Sequence, residues 1–315
     1  MNALVIDGFQ YPENPEWSVQ KDEIQGMIDR INGAKRLWPI LSMMRLVSPL
    51  FRDLLCGFIA EEENKPAGLI NYMRQRAEPE WFIANVTVLP AYRRQGIARK
   101  LVEATLQELR HRKAKVAFLD VVMGNDPAFK LYQEMGFEAF TSSSEYHYQK
   151  DVPITALPLP DGYELKALSR WDWQTNFALA KRITPEHVTR YEPVTEGRFR
   201  IPAIMPLFGI LFESAGGGHS EHFAIYSPDD QIMGVGQYSY RTRAGGINFA
   251  SISIDPNHPQ LADLCLRHIL ATIQNASPGR RVQLNFEDWQ ATLIQAAEAL
   301  GCEKRFGARR MGLRF

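Results

Sequence analysis

The strongest constraint in this 315-residue sequence is an internal repeat. "NKPAGLINYM" and "ANVTVLP" in the first half have counterparts in "DQIMGVGQYS" and "ASISIDP" in the second half. Four pairs of landmarks keep a separation of 165 or 166 positions: Gly68 and Gly234, Pro90 and Pro256, Gly136 and Gly301, and Tyr146 and Met311. A constant separation predicts a duplicated domain, and the chain is long enough for two.

Within the first half, the apolar pattern changes its period in a fixed order. Alternating or β-branched runs predict strands, and apolar residues at helical spacing after Gly96 predict a helix. Strands are predicted at 54–60, 66–74, 81–89, 115–122, 137–141 and 145–150, and helices at 20–46, after Gly96, and from Pro127 to Met135. Each half is therefore predicted to be α/β (α+β), with a mixed, largely antiparallel twisted sheet flanked by helices.

A proline-rich segment separates the two predicted domains. "DVPITALPLPDG" (151–162) contains three prolines and few helix signals, which is typical of an extended linker. The predicted domains are residues 1–150 and 163–315.

Composition excludes several classes of function. Lysine and arginine together equal aspartate and glutamate at 36 each, so a general nucleic-acid or membrane-surface binder is not expected. The apolar stretch 201–212 is too short to span a bilayer and contains two prolines. The first ten residues lack a signal-peptide pattern, so a cytoplasmic protein is expected.

Neither the cysteines nor the histidines predict a metal site. The three cysteines are far apart and form no CxxC pair: Cys56, Cys265 and Cys302. We expect free thiols. "ESAGGGHSEH" contains His219, Glu221 and His222, but their spacing is not HExxH, and the glycines predict a solvated loop.

"LPAYRRQGIARK" (89–100) predicts an anion site at the start of a helix. A helix that begins after Gly96 presents unpaired N–H groups and the positive end of its dipole. Gly96 has no side chain and Ala98 has only a methyl group, so an anion could approach the backbone closely. Arg93 and Arg94 add charges that suit a phosphate. Neither GxGxxG nor GxxxxGK[ST] is present, so this is not a Rossmann or P-loop site.

These residues resemble the GNAT superfamily of acetyl-coenzyme A-dependent N-acetyltransferases. "RRQGIA" (93–98) matches the phosphate-binding signature Q/R-x-x-G-x-G/A of that family. "NDPAFKLYQEMGF" (125–137) resembles its second signature, through Asn125, Ala128, Leu131, Tyr132, Gly136 and Phe137. The resemblance covers residues 50–150 well and residues 1–50 loosely.

The resemblance implies direct transfer of an acetyl group from acetyl-coenzyme A to an amine. The pantetheine arm of the cofactor would pair with backbone near Val86 to Val88, where strand 81–89 separates from strand 115–122. The cofactor-binding residues that the resemblance implies are Val86, Val88, Arg93, Arg94, Gln95, Gly96, Ile97, Ala98, Asn125 and Tyr132. No metal is implied.

The resemblance also implies catalytic roles. Tyr132 would be the general acid, and Asn125 would hold the cofactor arm or cap the following helix. The family often has a glutamate in the middle of the strand before the phosphate loop, but "FIANVTV" has none, and Asn85 stands there. Glu80, at the start of this strand, is therefore the candidate general base, which leaves the proton acceptor open.

Several alternatives remain open for the activity. The acceptor would be a small-molecule or peptide amine. A donor with a longer acyl chain is a further possibility, which pocket depth beyond the thioester would decide. A non-catalytic acyl-coenzyme A sensor or interaction protein is the rival function. Aromatic residues that could frame an acceptor are Trp38, Tyr72 and Trp81, although such residues more often pack in the core. The chain could be a monomer, as a tandem pseudo-dimer, or a homodimer.

The second half lacks the residues that the resemblance assigns to chemistry. Carried forward by 166, Arg93 falls on Pro259, Arg94 on Gln260, Gly96 on Ala262 and Ile97 on Asp263; carried forward by 165, Tyr132 falls on Ala297 and Asn125 on Gln290. A carboxylate beside the expected pyrophosphate opposes its binding. The second half is therefore predicted to keep the fold without binding acetyl-coenzyme A.

We predict that one chain binds one equivalent of coenzyme A. Only the first half has the phosphate loop, so calorimetric titration should give a stoichiometry near one per chain. A stoichiometry of two would contradict the predicted division between the halves.

Overall fold

The computed structural model of the chain describes residues 53, 56–75, 79–149, 152–200, 218–241 and 247–315. The helix predicted at 20–46, the apolar stretch 201–212 and Trp38 lie outside the described residues. The chain divides into two compact units. Unit 1 is Met1–Phe140 with Ala308–Phe315, and unit 2 is Thr141–Gly307.

The elements follow the predicted order. The first part of the chain contains β1 (Cys56–Glu62), β2 (Lys65–Arg74), β3 (Glu80–Val88), a short 3-10 helix (Pro90–Tyr92), α1 (Ile97–His111), β4 (Val116–Val122), α2 (Asp126–Glu134) and β5 (Glu138–Tyr148). The second part contains β6 (Glu164–Ala167), α3 (Trp173–Ile183), α4 (Glu186–Thr189), α5 (Glu196–Phe199), β7 (Gly218–Tyr226), β8 (Ile232–Arg241), β9 (Asn248–Ile254), α6 (Gln260–Ala276), β10 (Val282–Glu287), α7 (Ala291–Ala299) and β11 (Glu303–Arg314).

The sheet of unit 1 has the strand order β1-β2-β3-β4-β11. Neighbouring strands pair antiparallel except β3 and β4, which are parallel. Apolar residues of α1 recur at helical spacing and are buried against the sheet, and Tyr132 of α2 joins the same core. The core of unit 1 thus lies between its sheet and these two helices.

The sheet of unit 2 has the order β5-β10-β9-β8-β7-β6, and only β9 and β10 are parallel. Helices α6 and α7 contribute to a core that includes Ile225, whereas α3 packs on Ala224 and Val235. Because neighbouring residues of a strand point to opposite faces, helices cover both faces of this sheet. The predicted fold class, a mixed and largely antiparallel sheet flanked by helices, is confirmed.

The two halves of the sequence exchange a strand. Residues 308–314 of β11 pair with β4 of unit 1, with Met311 opposite Leu119. The corresponding strand of the first half, β5, pairs with β10 of unit 2, with Tyr146 opposite Leu284. Leu284 lies 165 positions after Leu119, and Met311 lies 165 positions after Tyr146. The exchange is therefore reciprocal and keeps the register of the repeat.

Two details differ from the sequence predictions. The strands predicted at 137–141 and 145–150 form one strand, β5, because the serine run between them contains no turn-forming glycine or proline and pairs with β10. The segment 153–160 has no helix or strand, as expected for a linker, but it is bound to α6. Gln274 accepts the Ile154 N–H at 2.9 Å and donates to the Val152 carbonyl at 2.9 Å.

The region of the second-half histidines also differs, because His219, Glu221 and His222 lie in β7 rather than in a loop. Glu221 accepts the Tyr238 hydroxyl at 2.5 Å, and this bond fixes the strand to β8. Within the described residues, no group of three or more potential ligands could hold a metal ion. None of the described helices is long and apolar enough to cross a membrane. The cysteines are free thiols, with Cys265 and Cys302 buried.

The strand exchange predicts that Met311→Ala destabilises unit 1 although it lies near the end of the chain. Met311 is fully buried in the core of unit 1, so truncation should cost about 2–5 kcal/mol. Hydrogen exchange should show faster exchange in α1 and β4 than in α6 and β10. Tyr146→Ala is the matched control, since its side chain is buried in unit 2 and the pattern should reverse. Equal effects of both variants on both units would contradict the exchange.

Candidate functional site

The candidate site begins where β3 and β4 separate. These parallel strands pair from Glu80 with Val116 to Ile83 with Leu119, and no later residues of either strand pair with the other. Residues 84–88 and 120–122 therefore form a splay that opens toward the carboxyl ends of both strands. A crevice at the carboxyl ends of parallel strands is a common place for ligand binding.

A β-bulge lies at the start of the splay. Asn71 of β2 is opposite Ala84, but Leu69 is opposite Thr87, so β3 carries one extra residue between these pairs. Asn85 takes a φ of 51°, which is rare for a residue other than glycine. The counterpart pairing of β8 with β9 in unit 2 has no such shift. The bulge is thus specific to unit 1, and such bulges commonly re-aim backbone next to a site.

Past the bulge, the backbone of Val86 and Val88 faces the splay. Leu89 N–H donates to the Ala67 carbonyl at 2.9 Å, so Leu89 and Thr87 direct their backbone groups toward β2. In an antiparallel pair, alternate residues point the other way, which turns Val86 and Val88 toward the gap. The Val88 carbonyl accepts a bond from Arg93 Nε at 3.2 Å. The backbone of Val86 remains as an edge to which an extended ligand could bind.

The loop after β3 presents a row of unpaired amides. Within the described part of the chain, none of the backbone N–H groups from Arg94 to Arg99 has an acceptor. They include the first N–H groups of α1, which the helix itself leaves unpaired. A row of such donors at the positive end of a helix dipole binds anions, and phosphates above all.

The shape of the loop depends on two left-handed residues. Arg94 has a φ of 65° and Gly96 a φ of 79°, and alternation of this kind turns successive N–H groups into one concavity. A Cβ added at Gly96 would meet no atom within 4 Å. The left-handed backbone angle therefore favours glycine at position 96, whereas crowding within the protein does not, since the space above it is open. A side chain there would fill the cradle.

The side chains of the loop have different roles. Arg93 donates to the Val88 carbonyl at the end of β3, the strand that precedes the loop. Gln95 Nε2 donates to the Ala91 carbonyl at 3.4 Å, and this contact closes the turn before α1. Ile97 is buried in the core and anchors the helix start. Arg94 is exposed and leaves a positive charge beside the amides.

The second signature lies at the same edge of the sheet, after β4. Asn125 N–H donates to the Val122 carbonyl at 3.0 Å, and its side chain accepts the Ala128 N–H at 3.3 Å. Of the two predicted roles for Asn125, the structure shows the cap of α2. Tyr132 follows on this helix, is 6% exposed, and packs edge-on against Phe137 with ring centroids 6.1 Å apart.

Two asparagines meet at the bulge, and sequence reasoning gave neither a role. Asn85 Nδ2 donates to Asn71 Oδ1 at 3.3 Å, and Asn71 Nδ2 donates to the Cys56 carbonyl at 3.5 Å. Gly57 makes room for this chain of amides, since a Cβ there would lie 2.7 Å from Asn71 Nδ2. Among the described residues, no group is seen to donate to Asn85 Oδ1, and Asn85 lies where the splay begins.

Other predicted residues lie elsewhere in unit 1. Glu80 is buried at the start of β3, six residues before Val86, which is about 20 Å along an extended strand. Tyr72 and Trp81 are core residues, with ring centroids 5.9 Å apart. Burial raises the pKa of Tyr72 to about 12, so it keeps its proton near neutral pH. The structure thus brings together the loop and Val86, and it leaves Glu80 at the far end of the strand.

The first half of the chain is similar in sequence to known acetyltransferases. Residues 29–137 match the family model of the Acetyltransferase (GNAT) family. The chain is 35% identical over 79 residues to a ribosomal protein bS18-alanine N-acetyltransferase of Escherichia coli (strain K12), which covers 24% of this chain and 53% of that protein. It is 30% identical over 79 residues to an N-alpha-acetyltransferase of Sulfurisphaera tokodaii, which covers 24% of this chain and 47% of that protein. The chain spans about half the length of these curated relatives.

A solved structure is similar over most of the chain. It is described as a tandem GNAT protein from the clavulanic acid biosynthesis pathway, without AcCoA. The TM-score is 0.57 at 14% identity, over 82% of this chain and 82% of that chain. At this identity, the likeness concerns the fold, and it supports the tandem arrangement that the repeat predicted.

We predict that Gly96→Asp abolishes coenzyme A binding while the fold remains. The aspartate would put a negative charge into the cradle, whereas the left-handed backbone would cost only about 1–2 kcal/mol. Gly279→Asp is the matched control, because Gly279 also has a positive φ and open space but lies in unit 2. Calorimetry should show binding to the control and none to Gly96→Asp. Equal affinity in both variants would contradict the assignment of this loop.

Proposed function

We propose that this chain is an N-acetyltransferase whose first half transfers an acetyl group from acetyl-coenzyme A to a primary amine, since residues 29–137 match the model of the Acetyltransferase (GNAT) family. The observation that carries the proposal is the row of unpaired amides from Arg94 to Arg99 at the open end of the β3–β4 splay. An anion cradle beside a free strand edge suits a ligand with a pyrophosphate and an extended amide-bearing arm.

The residues present fit acetyl-coenzyme A. The amides from Arg94 to Arg99 would hold the pyrophosphate, with the exposed charge of Arg94 beside them. The backbone of Val86 and Val88 would pair with the amides of the pantetheine arm. When bound, the co-substrate supplies an acetyl group activated as a thioester. Asn125 would support the site indirectly, because its side chain caps α2.

Two groups of this chain would assist the reaction. The backbone N–H of Val86 faces the splay and would stabilise negative charge on the acetyl carbonyl oxygen. Tyr132 would donate its hydroxyl proton to the leaving sulfur, since a phenol has an ordinary pKa near 10 and is protonated at neutral pH.

The amine acceptor must lose a proton, and no carboxylate of β3 lies beside the splay. Glu80 stays the candidate base from the sequence, but at about 20 Å from Val86 it would have to act through water or another group. The Asn71–Asn85 pair lies at the bulge where the splay begins. We propose that Asn85 Oδ1 accepts a hydrogen bond from the acceptor amine and orients it, without taking its proton.

We propose a broader class of acceptor for this chain than the names of its relatives give for theirs. Their names give a ribosomal protein alanine and N-alpha amines as acceptors, and both are amines of polypeptides. The matched segments cover 24% of this chain, so small-molecule amines are retained beside peptide amines. We propose that the second half binds no acetyl-coenzyme A, as its sequence predicts.

A release assay would test the proposal directly. Purified full-length protein, acetyl-coenzyme A and a panel of small amines and peptides would be combined, and free thiol would be measured. Amine-dependent thiol release supports the transferase. Tight binding of acetyl-coenzyme A without turnover on any acceptor would favour the rival function, a non-catalytic acyl-coenzyme A sensor.

We expect Tyr132→Phe to lower kcat by about 10²-fold or more while coenzyme A affinity stays within a few-fold. The phenyl ring preserves packing against Phe137 and removes only the donated proton. Glu80→Gln is the companion variant. A comparable fall in kcat would assign Glu80 a role in proton removal, whereas an unchanged kcat would remove it from the mechanism. Full activity of Tyr132→Phe would contradict the role of the tyrosine as the acid.

A further inference from the structure

Unit 2 has a splay of its own, at the position that corresponds to that of unit 1. Strands β9 and β10 are parallel and pair from Asn248 with Val282 to Ala250 with Leu284, and pairing then stops. Leu284 corresponds to Leu119, at which β4 leaves β3, because the two residues lie 165 positions apart. The second half has therefore lost the signature residues but has kept the opening in its sheet.

The opening in unit 2 is bridged by the side chain of Gln290. Its Nε2 atom donates to the Ile252 carbonyl of β9 at 3.2 Å, and Ser253 Oγ lies at 3.4 Å. Its Oε1 atom accepts the Glu287 N–H of β10 at 2.9 Å. Gln290 is 8% exposed, so one buried carboxamide joins the two strands where they no longer pair.

The equivalent positions in unit 1 show what this bridge replaces. Ile252 lies 166 positions after Val86, whose backbone faces the open splay. Gln290 lies 165 positions after Asn125, and the turns around them match. Gln290 N–H donates to the Glu287 carbonyl at 3.0 Å, as Asn125 N–H does to Val122. The backbone is thus equivalent, but the side chain of Asn125 caps its own helix, whereas the longer Gln290 reaches into the splay.

In unit 2, the backbone N–H groups that correspond to those of the phosphate loop form hydrogen bonds within the chain. Helix α6 begins at Gln260, which corresponds to Arg94, so the residues that form the loop in unit 1 are helical here. The Leu261 and Ala262 N–H groups donate to the His258 and Pro259 carbonyls at 3.0 and 3.1 Å. No residue from Pro256 to Leu264 has a positive φ.

We infer that Gln290 is a built-in substitute for the amide of a pantetheine arm and excludes acyl-coenzyme A from unit 2. It donates to one strand and accepts from the other, as a bound amide would do in the same gap. The inference rests on the proposed function for the identity of the excluded ligand. Gln290 is accordingly a specificity-determining residue that limits the chain to one binding site.

Hydrogen exchange of the full chain would test the inference, first without ligand. The Glu287 N–H should be protected in the wild type, and in Gln290→Ala it should exchange at least about tenfold faster. The buried Ile252 carbonyl and the part-buried Glu287 N–H would lose their partner, so Tm should fall by about 4–8 °C. Gln295→Ala is the control and should change neither value, because Gln295 is an exposed residue of α7, the helix that follows Gln290. Unchanged exchange at Glu287 in Gln290→Ala would overturn the inference.

A second variant covers the case in which Gln290→Ala does not fold. Gln290→Glu has the same shape and can still accept the Glu287 N–H, but its carboxylate cannot donate to the Ile252 carbonyl. We expect slow exchange at Glu287 with a lowered Tm. A Tm equal to that of the wild type would mean that the bond to β9 is not formed, which would also overturn the inference.

Hydrogen exchange with added coenzyme A then shows whether a failure concerns this inference or the proposed function. In the wild type it should slow exchange in residues 84–99 and leave residues 251–254 and 285–287 unchanged. Slower exchange at the latter ranges would overturn the inference, because unit 2 would then bind the ligand. No change in either unit would contradict the proposed function, while the measurement without ligand would still decide whether Gln290 bridges the strands.

Discussion

The separation of two parallel strands after Ile83 and Leu119 is the constraint on which the site depends. Backbone groups that leave a ladder must find other partners, because buried unpaired amides and carbonyls destabilise a fold. Unit 1 leaves this edge open beside a loop of unpaired amides, and unit 2 bridges the same edge with Gln290. The two halves therefore satisfy the backbone groups at this edge in two different ways, and our proposal places the ligand in the first.

Much of the fold could be predicted from the sequence, because the repeat and the change of hydrophobic period both depend on local residue types. The loop at Gly96 could be predicted for the same reason, since glycine and arginine next to a helix start have few other uses. The reciprocal strand exchange could not, because strand pairing depends on contacts far apart in sequence. Nothing in the residues of β5 or β11 distinguishes pairing with one half from pairing with the other.

The bulge at Asn85 illustrates a second limit. The halves can be aligned without a gap through "ANVTVLP" and "ASISIDP", so the sequence gives no sign of an extra residue. The strand pairs show that Ile83 corresponds to Ala250, 167 positions later, whereas Val88 corresponds to Ile254, 166 positions later. One residue is thus inserted at Asn85 in the first half. Weak similarity hides such a shift, and the residues of β3 alone do not show where the strand leaves its neighbour or how far Glu80 lies from that point.

The reciprocal exchange of β5 and β11 has a consequence for the history of the chain. On the proposed function, the second half could lose its ligand site after a duplication, since the first half retains one. The second half itself could not be lost, because residues 308–314 complete the sheet of unit 1 beside β4. Without them, β4 would present an unpaired edge of a kind that promotes aggregation. Selection on solubility alone would therefore preserve the second half without any need for a ligand site in it.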